Sequence, residues 1–245
     1  MRIVVFSSNS KSANAGLKDL IGKRNKEIVA LVIVTQLKGS LFKKISSFNK
    51  YLKRTSPIFL LYKIYEGLGG SEVINSAKKY GIPIIKTNDI NDTRLLEKIK
   101  ALKPDLSLCF FANQILKKPI ISAAKLGTLN IHGSILPKYK GAAQYFWYLY
   151  NNDKKGGVTI HYMDEKLDTG DMISQETFTI KKSDSMYELH MKIGKIGAKL
   201  YDKLIDPFKS KKIKRIPQRK DKGSYLTLPT RKEMKVFRKK GLNIF

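Results

Sequence analysis

The chain has 245 residues, 42% of them hydrophobic, and 48 Lys and Arg against 20 Asp and Glu give a formal net charge of +28. That hydrophobic share supports a real core and excludes a wholly disordered basic protein, and the length admits one large domain, or one domain with a small appendage. A single cysteine excludes an internal disulfide framework and a Cys-based zinc site, and no apolar run approaches the ~20 residues needed to cross a bilayer.

The opening run is too short for a signal peptide, so a soluble, reduced, cytoplasmic protein is expected. The charge by itself suggests an anionic partner: nucleic acid, an anionic membrane or a phosphorylated substrate. Only eight of the 48 basic residues are arginine. A reader of nucleic acid leans on the planar arginine fork, so a solvated lysine coat competes with any specific role.

Ile3 to Phe6 reads as a buried strand followed by the Ser7-Ser8-Asn9-Ser10 loop and a helix from about Ala13 to Lys23. Ile28 to Val34 is a β-branched run of the kind found in central parallel strands. A helix from Ser71 to Tyr80, a strand over 82–85, a helix capped by Asp92 and running to about Leu102, and strands at Leu106–Phe111 and Gly127–Ile131 continue the rhythm. Two strand-like runs, Val158–Tyr162 and Ile173–Ile180, precede a helix from about Asp184 to Ile205. Such alternation over the first two-thirds of the chain predicts an α/β fold with a parallel sheet covered on both faces.

Two segments interrupt or extend this pattern. Between about residues 37 and 70 lies a basic insertion. Leu41, Phe42, Ile45, Phe48 and Leu52 fall at helical spacing among lysines, followed by a break at Pro57 and the apolar run Ile58–Tyr62. A helical hairpin packed on the body competes there with peripheral membrane contact. Residues 206–245 are expected to form a short basic extension of a hairpin and a helix, in which Tyr225–Thr230 reads as a short strand or turn and Arg231–Lys240 as a basic helix. Over 203–245 there are 15 Lys and Arg against 3 acidic residues.

No phosphate loop of the Gly-x-x-x-x-Gly-Lys type and no Gly-x-Gly-x-x-Gly follows the first strand, which removes the main support for ATP or dinucleotide binding. The chemistry concentrates between Leu129 and Asp171. Asn130 and His132 share one strand face, and Leu167-Asp168-Thr169-Gly170-Asp171 forms a tight acidic loop further on. An amide, an imidazole and a carboxylate suit acyl transfer: Asn130 donates to an oxyanion, His132 acts as acid or charged donor, and Asp168 accepts a proton.

The segment Leu129-Asn130-Ile131-His132-Gly133-Ser134-Ile135-Leu136-Pro137-Lys138-Tyr139-Lys140-Gly141-Ala142 resembles the signature of the 10-formyltetrahydrofolate-dependent formyltransferases. The similarity continues through Gly157–Asp164 and Leu167–Asp171, and spans roughly residues 1–205. It implies a Rossmann-like, mostly parallel sheet over that span, Asn130, His132 and Asp168 as catalytic residues and N10-formyltetrahydrofolate as the cosubstrate, with no metal. The same resemblance implies a folate cleft at Phe110, Phe111, Ala112, Ile115 and Leu116 on one side and Asp164 and Leu167 on the other.

For the acceptor amine, Ser8, Asn9, Lys138, Gly141, Gln144 and Tyr225 are the candidate contacts. Trp147 reads as core rather than as a base-stacking platform. The tRNA-modifying members of the family carry a further C-terminal barrel of about 100 residues, and their Gly-Ala-Ala-Pro reads Gly141-Ala142-Ala143-Gln144 here. The resemblance therefore favours a nucleotide-linked amino sugar, such as dTDP-4-amino-4,6-dideoxyglucose in surface-glycan (O-antigen) synthesis. A methionyl-tRNA formyltransferase-like enzyme is the alternative, and a glycinamide ribonucleotide enzyme would carry glycines after the first strand. A homodimer is expected, and a nucleic-acid partner is not.

Overall fold

Aliphatic residues make β1 (Ile3–Ser7) and β2 (Ile28–Val34) almost continuously apolar, as strands covered on both faces must be. Alternation along β1 sorts them: Ile3 and Val5 enter one core with Leu17, Leu20 and Leu31, while Val4 and Phe6 enter a second with Ala30, Val32 and Cys109. The computed structural model describes residues 1–35, 55–219 and 223–245.

Helix α1 (Lys11–Arg24) is capped by the Ser10 hydroxyl. It is followed after β2 by α2 (Pro57–Gly67), α3 (Glu72–Lys79), β3 (Ile84–Thr87), α4 (Thr93–Ala101), β4 (Leu106–Phe110) and the short α5 (Lys118–Ile121). Then come β5 (Thr128–His132), β6 (Lys140–Gly141), α6 (Gln144–Tyr150), β7 (Lys155–Tyr162), β8 (Met172–Thr179), α7 (Met186–Lys209), β9 (Tyr225–Leu226) and α8 (Arg231–Lys239).

The main sheet has the order β3-β2-β1-β4-β5-β7-β8. β3 to β5 are parallel, but β7 runs antiparallel to β5 and β8 antiparallel to β7. The α/β, Rossmann-like, mostly parallel sheet expected from the strand–helix rhythm together with the family resemblance is present. The short connection from β7 to β8 leaves no room for a helical crossover, so these two strands pair antiparallel.

Element bounds differ from the sequence reading in informative places. Pro57, read as a break, opens α2, where its missing N–H is one of those that a first helical turn leaves unpaired anyway. Phe59 and Tyr62 of this helix are wholly buried, so the apolar run belongs to the body. The amphipathic stretch around Leu41–Leu52 lies outside the described residues. Ser185 and Glu188 form a reciprocal capping box at the start of α7, and that helix runs four residues past Ile205.

The extension beyond α7 packs on the body. Ile216 forms an antiparallel bridge with Met172, β9 pairs with β6, and Phe237 stacks on Phe146 at 5.0 Å. The Trp147 indole N–H donates to Thr227 O at 2.9 Å, and its ring is buried as expected for core. Cys109 is buried, and burial pushes its thiol up to about 12, consistent with a small apolar filler.

Candidate active site

The site assembles where β5 ends. Tyr201 of α7 ties β4 to β5 just before this point, its hydroxyl reaching Cys109 O at 2.9 Å and Leu129 O at 3.0 Å. Asn130 and His132 follow on one face of β5. Antiparallel register sets His161 of β7 directly opposite Asn130.

His161 Nδ1 donates to Tyr162 O at 2.8 Å, which makes its Nε2 an acceptor. Asn130 Nδ2 donates to that Nε2 at 3.2 Å and keeps its second hydrogen for another oxygen. Burial first, then the neighbouring His132 charge, pushes His161 down to about 4, so it stays neutral and accepting at neutral pH.

His132 Nε2 donates to Tyr139 O at 2.8 Å, and its Nδ1 lies 3.4 Å from Asp168 Oδ2. Asp168 Oδ2 also accepts the Gly141 N–H at 2.8 Å, and Oδ1 lies 3.7 Å from His161 Nε2. Burial works against the Asp168 charge. The charge and hydrogen bond of His132 and the Gly141 amide outweigh it and hold the carboxyl below its ordinary value. The site therefore holds an ionised carboxylate at neutral pH, poised beside an imidazole and an amide donor.

Backbone geometry around the site is unusual. Phe111, Asn113, Tyr139, Ala143 and Asp168 all have left-handed φ between 54° and 59°, a conformation that costs a non-glycine residue energy and is retained where surrounding contacts impose it. Gly170 is obligatory in this loop, because a Cβ there would lie 2.0 Å from Tyr162 O.

The structure brings together Asn130, His132, Asp168, Gly141 and Gln144. Gln144 Nε2 donates to Gly141 O at 2.7 Å and lies 3.4 Å from His132 Nε2. Tyr225 stands beside them on β9, opposite Lys140, with 60% of its surface exposed. The Lys138 ammonium is engaged with Asp153 at 3.1 Å and lies over the Tyr139 ring. Ser8 is sealed, its hydroxyl donating to Ser10 Oγ, and Asn9 reaches Gly69 O at 3.4 Å.

Among the expected folate contacts, the side chains of Phe110, Ala112 and Leu116 are packed in the core, so any ligand contact from them is through backbone. Phe111 is partly buried, its ring edge-on to Phe110. Ile115 is 72% exposed, and Leu167 and Asp164 are also exposed on the acidic loop. Asp164 accepts from the Thr169 hydroxyl at 2.8 Å and the Lys166 N–H at 3.1 Å. Among the described residues no group of three or more His, Cys, Asp or Glu could hold a metal ion.

Sequence reasoning missed two participants. His161 stands inside the Gly157–Asp164 block, but only the β5–β7 register shows that it faces Asn130. Gln218, from the basic extension, donates to Asp168 O and Gly170 O, and no periodicity or spacing pointed to it.

Comparison with known proteins identifies the family of the chain. The chain is 36% identical over 159 residues to a methionyl-tRNA formyltransferase from Alkaliphilus oremlandii, covering 65% of this chain and 51% of that one. The chain thus spans about half the length of the curated relatives it matches. A glycinamide ribonucleotide transformylase from Symbiobacterium toebii superposes with a TM-score of 0.63 at 18% identity, over 88% of this chain and 94% of that one.

The formyltransferase PseJ from Anoxybacillus kamchatkensis, solved with UDP-4,6-dideoxy-4-formamido-L-AltNAc and tetrahydrofolate, superposes with a TM-score of 0.51. It is 28% identical, over 62% of this chain and 77% of that chain. Residues 1–205 match the formyl transferase family model, a stretch that runs from β1 through nearly all of α7 and contains Asn130, His132 and Asp168, so the chain belongs to the formyl transferase family.

Proposed function

We propose that this protein transfers a formyl group from N10-formyltetrahydrofolate to the amine of a nucleotide-linked amino sugar. The observation that carries formyl transfer is the joint placement of Asn130, His132 and Asp168 within hydrogen-bonding or ion-pairing reach of one another, directly or through His161. Bound folate supplies the formyl carbon on its N10. The loop containing Ile115 and the loop containing Leu167 are the segments that would hold its pterin.

Each residue has a definable task. Attack of a neutral amine on the formyl carbon puts negative charge on the carbonyl oxygen and positive charge on the attacking nitrogen. Asn130 offers its free N–H to that oxygen, and the His132 imidazole, held against Asp168, stands beside it in a water-poor site. The nitrogen becomes acidic once bonded to carbon, and the ionised Asp168 takes its proton. Return of that proton to the departing folate nitrogen balances the step. Tyr139 O and the Gly141 N–H hold the imidazole and the carboxylate in orientation throughout.

Two features support the sugar-nucleotide acceptor. Tyr225 presents an exposed ring beside Gly141, a platform on which a nucleobase can stack. The N-terminus of α1, where open α/β sheets commonly receive an anion, is filled by the carboxylate of Glu66, which accepts the Ser12 N–H at 2.9 Å and the Ser12 hydroxyl. An acceptor phosphate has to find its cations elsewhere, which disfavours a glycinamide ribonucleotide-like placement at the first loop. A 4-amino-4,6-dideoxy sugar is the preferred class within this reading, in keeping with the formamido sugar bound by the Anoxybacillus relative.

A second reading has its own observation. The curated relatives are methionyl-tRNA formyltransferases, and Arg231, Lys235, Arg238 and Lys239 line a groove of about 560 Å³ with Ser56 and Pro57 at the start of α2. Basic side chains at a groove suit a phosphate backbone. The deciding experiment offers the purified protein and 10-formyltetrahydrofolate a panel of dTDP- and UDP-linked amino sugars and charged initiator tRNA, with products read by mass spectrometry. Formylated sugar nucleotide supports the proposal. Turnover of tRNA with none of the sugars overturns it.

A further inference from the structure

The acidic loop that carries Asp168 is held from both sides. Inside, Gly170 presses against Tyr162 O so closely that no side chain fits. Outside, the buried Gln218 places its amide across the loop, Nε2 donating to Asp168 O at 3.1 Å and to Gly170 O at 2.8 Å. Two carbonyls flanking Thr169 are thereby fixed by one donor group.

Gln218 is itself anchored. Two residues earlier, Ile216 exchanges backbone hydrogen bonds with Met172 at 2.8 and 2.9 Å, and the Arg215 guanidinium lies 3.8 Å from the centre of the Tyr162 ring. The Oε1 atom of Gln218 has no hydrogen-bond partner among the described residues, and the contacts to the loop are made by the N–H donors. Gln218 also lies beyond residue 205, where the family match ends. A loop with Asp168 at φ 55° has a local tendency to relax, and these two bonds oppose it.

We infer that Gln218, supplied by the C-terminal extension, is a positioning residue for the Asp168 carboxylate, setting its 3.4 Å approach to His132 through the loop backbone. The inference rests on the proposed role of Asp168 only where activity is the readout. The extension is then part of the active-site apparatus: it closes one edge through β9 on Gly141 and orients the proton acceptor through Gln218.

The test compares Gln218→Met, which keeps the side-chain length and removes the donors, with Gln218→Glu, which sets a carboxylate against two carbonyls. The first readout needs no substrate: the imidazole 15N signals of His132, assigned with His132→Gln, report its contact with Asp168 at neutral pH. Both variants are expected to shift these signals and to lower kcat by roughly 10- to 100-fold with a smaller change in KM, since a displacement near 1 Å costs about that much. The acid limb of the rate profile should move to higher pH, because Asp168 returns toward its ordinary value of 3.8 as His132 recedes.

Thermal melting identifies folded protein, and Gln218→Asn carries the same test where the Met variant does not fold. Unmoved His132 signals in folded variants overturn the inference. Moved signals with unchanged transfer rate support positioning by Gln218 and overturn the catalytic reading of Asp168. A purely packing role predicts that the Met variant keeps both signals and rate, which also overturns the inference.

Discussion

Among the described residues two clusters contain the same chemical groups, a carboxylate beside a histidine, and their surroundings suit only one of them to the proposed formyl transfer. At the end of β5, His132 faces Asp168 at 3.4 Å; between α2 and α7, His190 faces Glu66 at 4.0 Å. Burial does not separate them, because His132 is 4% and His190 7% exposed. Each carboxylate also accepts a backbone N–H, from Gly141 and from Ser12 respectively.

The difference lies in what surrounds the histidine. His190 stacks on Tyr145 at 4.3 Å, meets Phe111 edge-on, and accepts the Tyr62 hydroxyl at Nδ1 over 2.9 Å. Burial pushes it down to about 4, the Glu66 charge only partly opposing, so no ion pair forms at neutral pH. His132 instead sits beside the half-buried Asn130 and beneath a loop whose other members, Asp164 to Leu167, are exposed. A titratable pair is a chemical site when a reactant can reach it, and a structural one when aromatic rings close it off.

The sharpest way to break this contrast is to remove each cluster's key group. His132→Ala and Asp168→Asn should each lower formyl transfer by about 10³- to 10⁴-fold. Their melting temperatures should stay near that of the parent, as differential scanning fluorimetry would show. Glu66→Ala should do the reverse. It strands the buried Ser12 N–H and hydroxyl and costs about 3 kcal/mol in urea unfolding, while activity per folded molecule is retained. Equal effects of both substitutions on rate would erase the distinction.

The pH dependence of stability provides a third probe. His161 and His190 both have folded values near 4 against 6.5 when unfolded, so the unfolded chain binds protons that the native one refuses. Their contribution is complete above pH 6.5 and is lost as pH falls from 6.5 to about 4, at up to about 1.4 kcal/mol per pH unit for each. Chemical denaturation at a series of pH values should show this slope, and His190→Phe should flatten roughly half of it. The smallest expected effect is that of Trp147→Phe. It removes the hydrogen bond to Thr227 O and should cost about 1 kcal/mol, with faster proteolysis of the extension than of the body.

Much of the site was legible in the sequence because its core is local. Asn130 and His132 are two residues apart on one strand, and strand alternation alone places them on one face. The buried strands β1, β2 and β4 announced themselves by continuous aliphatic runs, and Asp92 by its position before an amphipathic helix. Less legible were the bounds that packing imposes. Pro57 breaks a helix by propensity in one context and starts one in another, and the choice was made by Phe59 and Tyr62 entering the core.

What the sequence by itself determined is the parallel α/β framework, the strand that carries Asn130 and His132, and the acidic loop that carries Asp168, since each depends on residues near one another in the chain. Only the tertiary structure decided that His161 completes the Asn130 amide, that Glu66 fills the first helix N-terminus, and that Gln218 reaches back to the Asp168 loop. Those contacts join residues separated by 31, 54 and 50 positions. Hydrogen bonds of that kind depend on register and on the approach of distant elements, which leave no periodic trace in the chain.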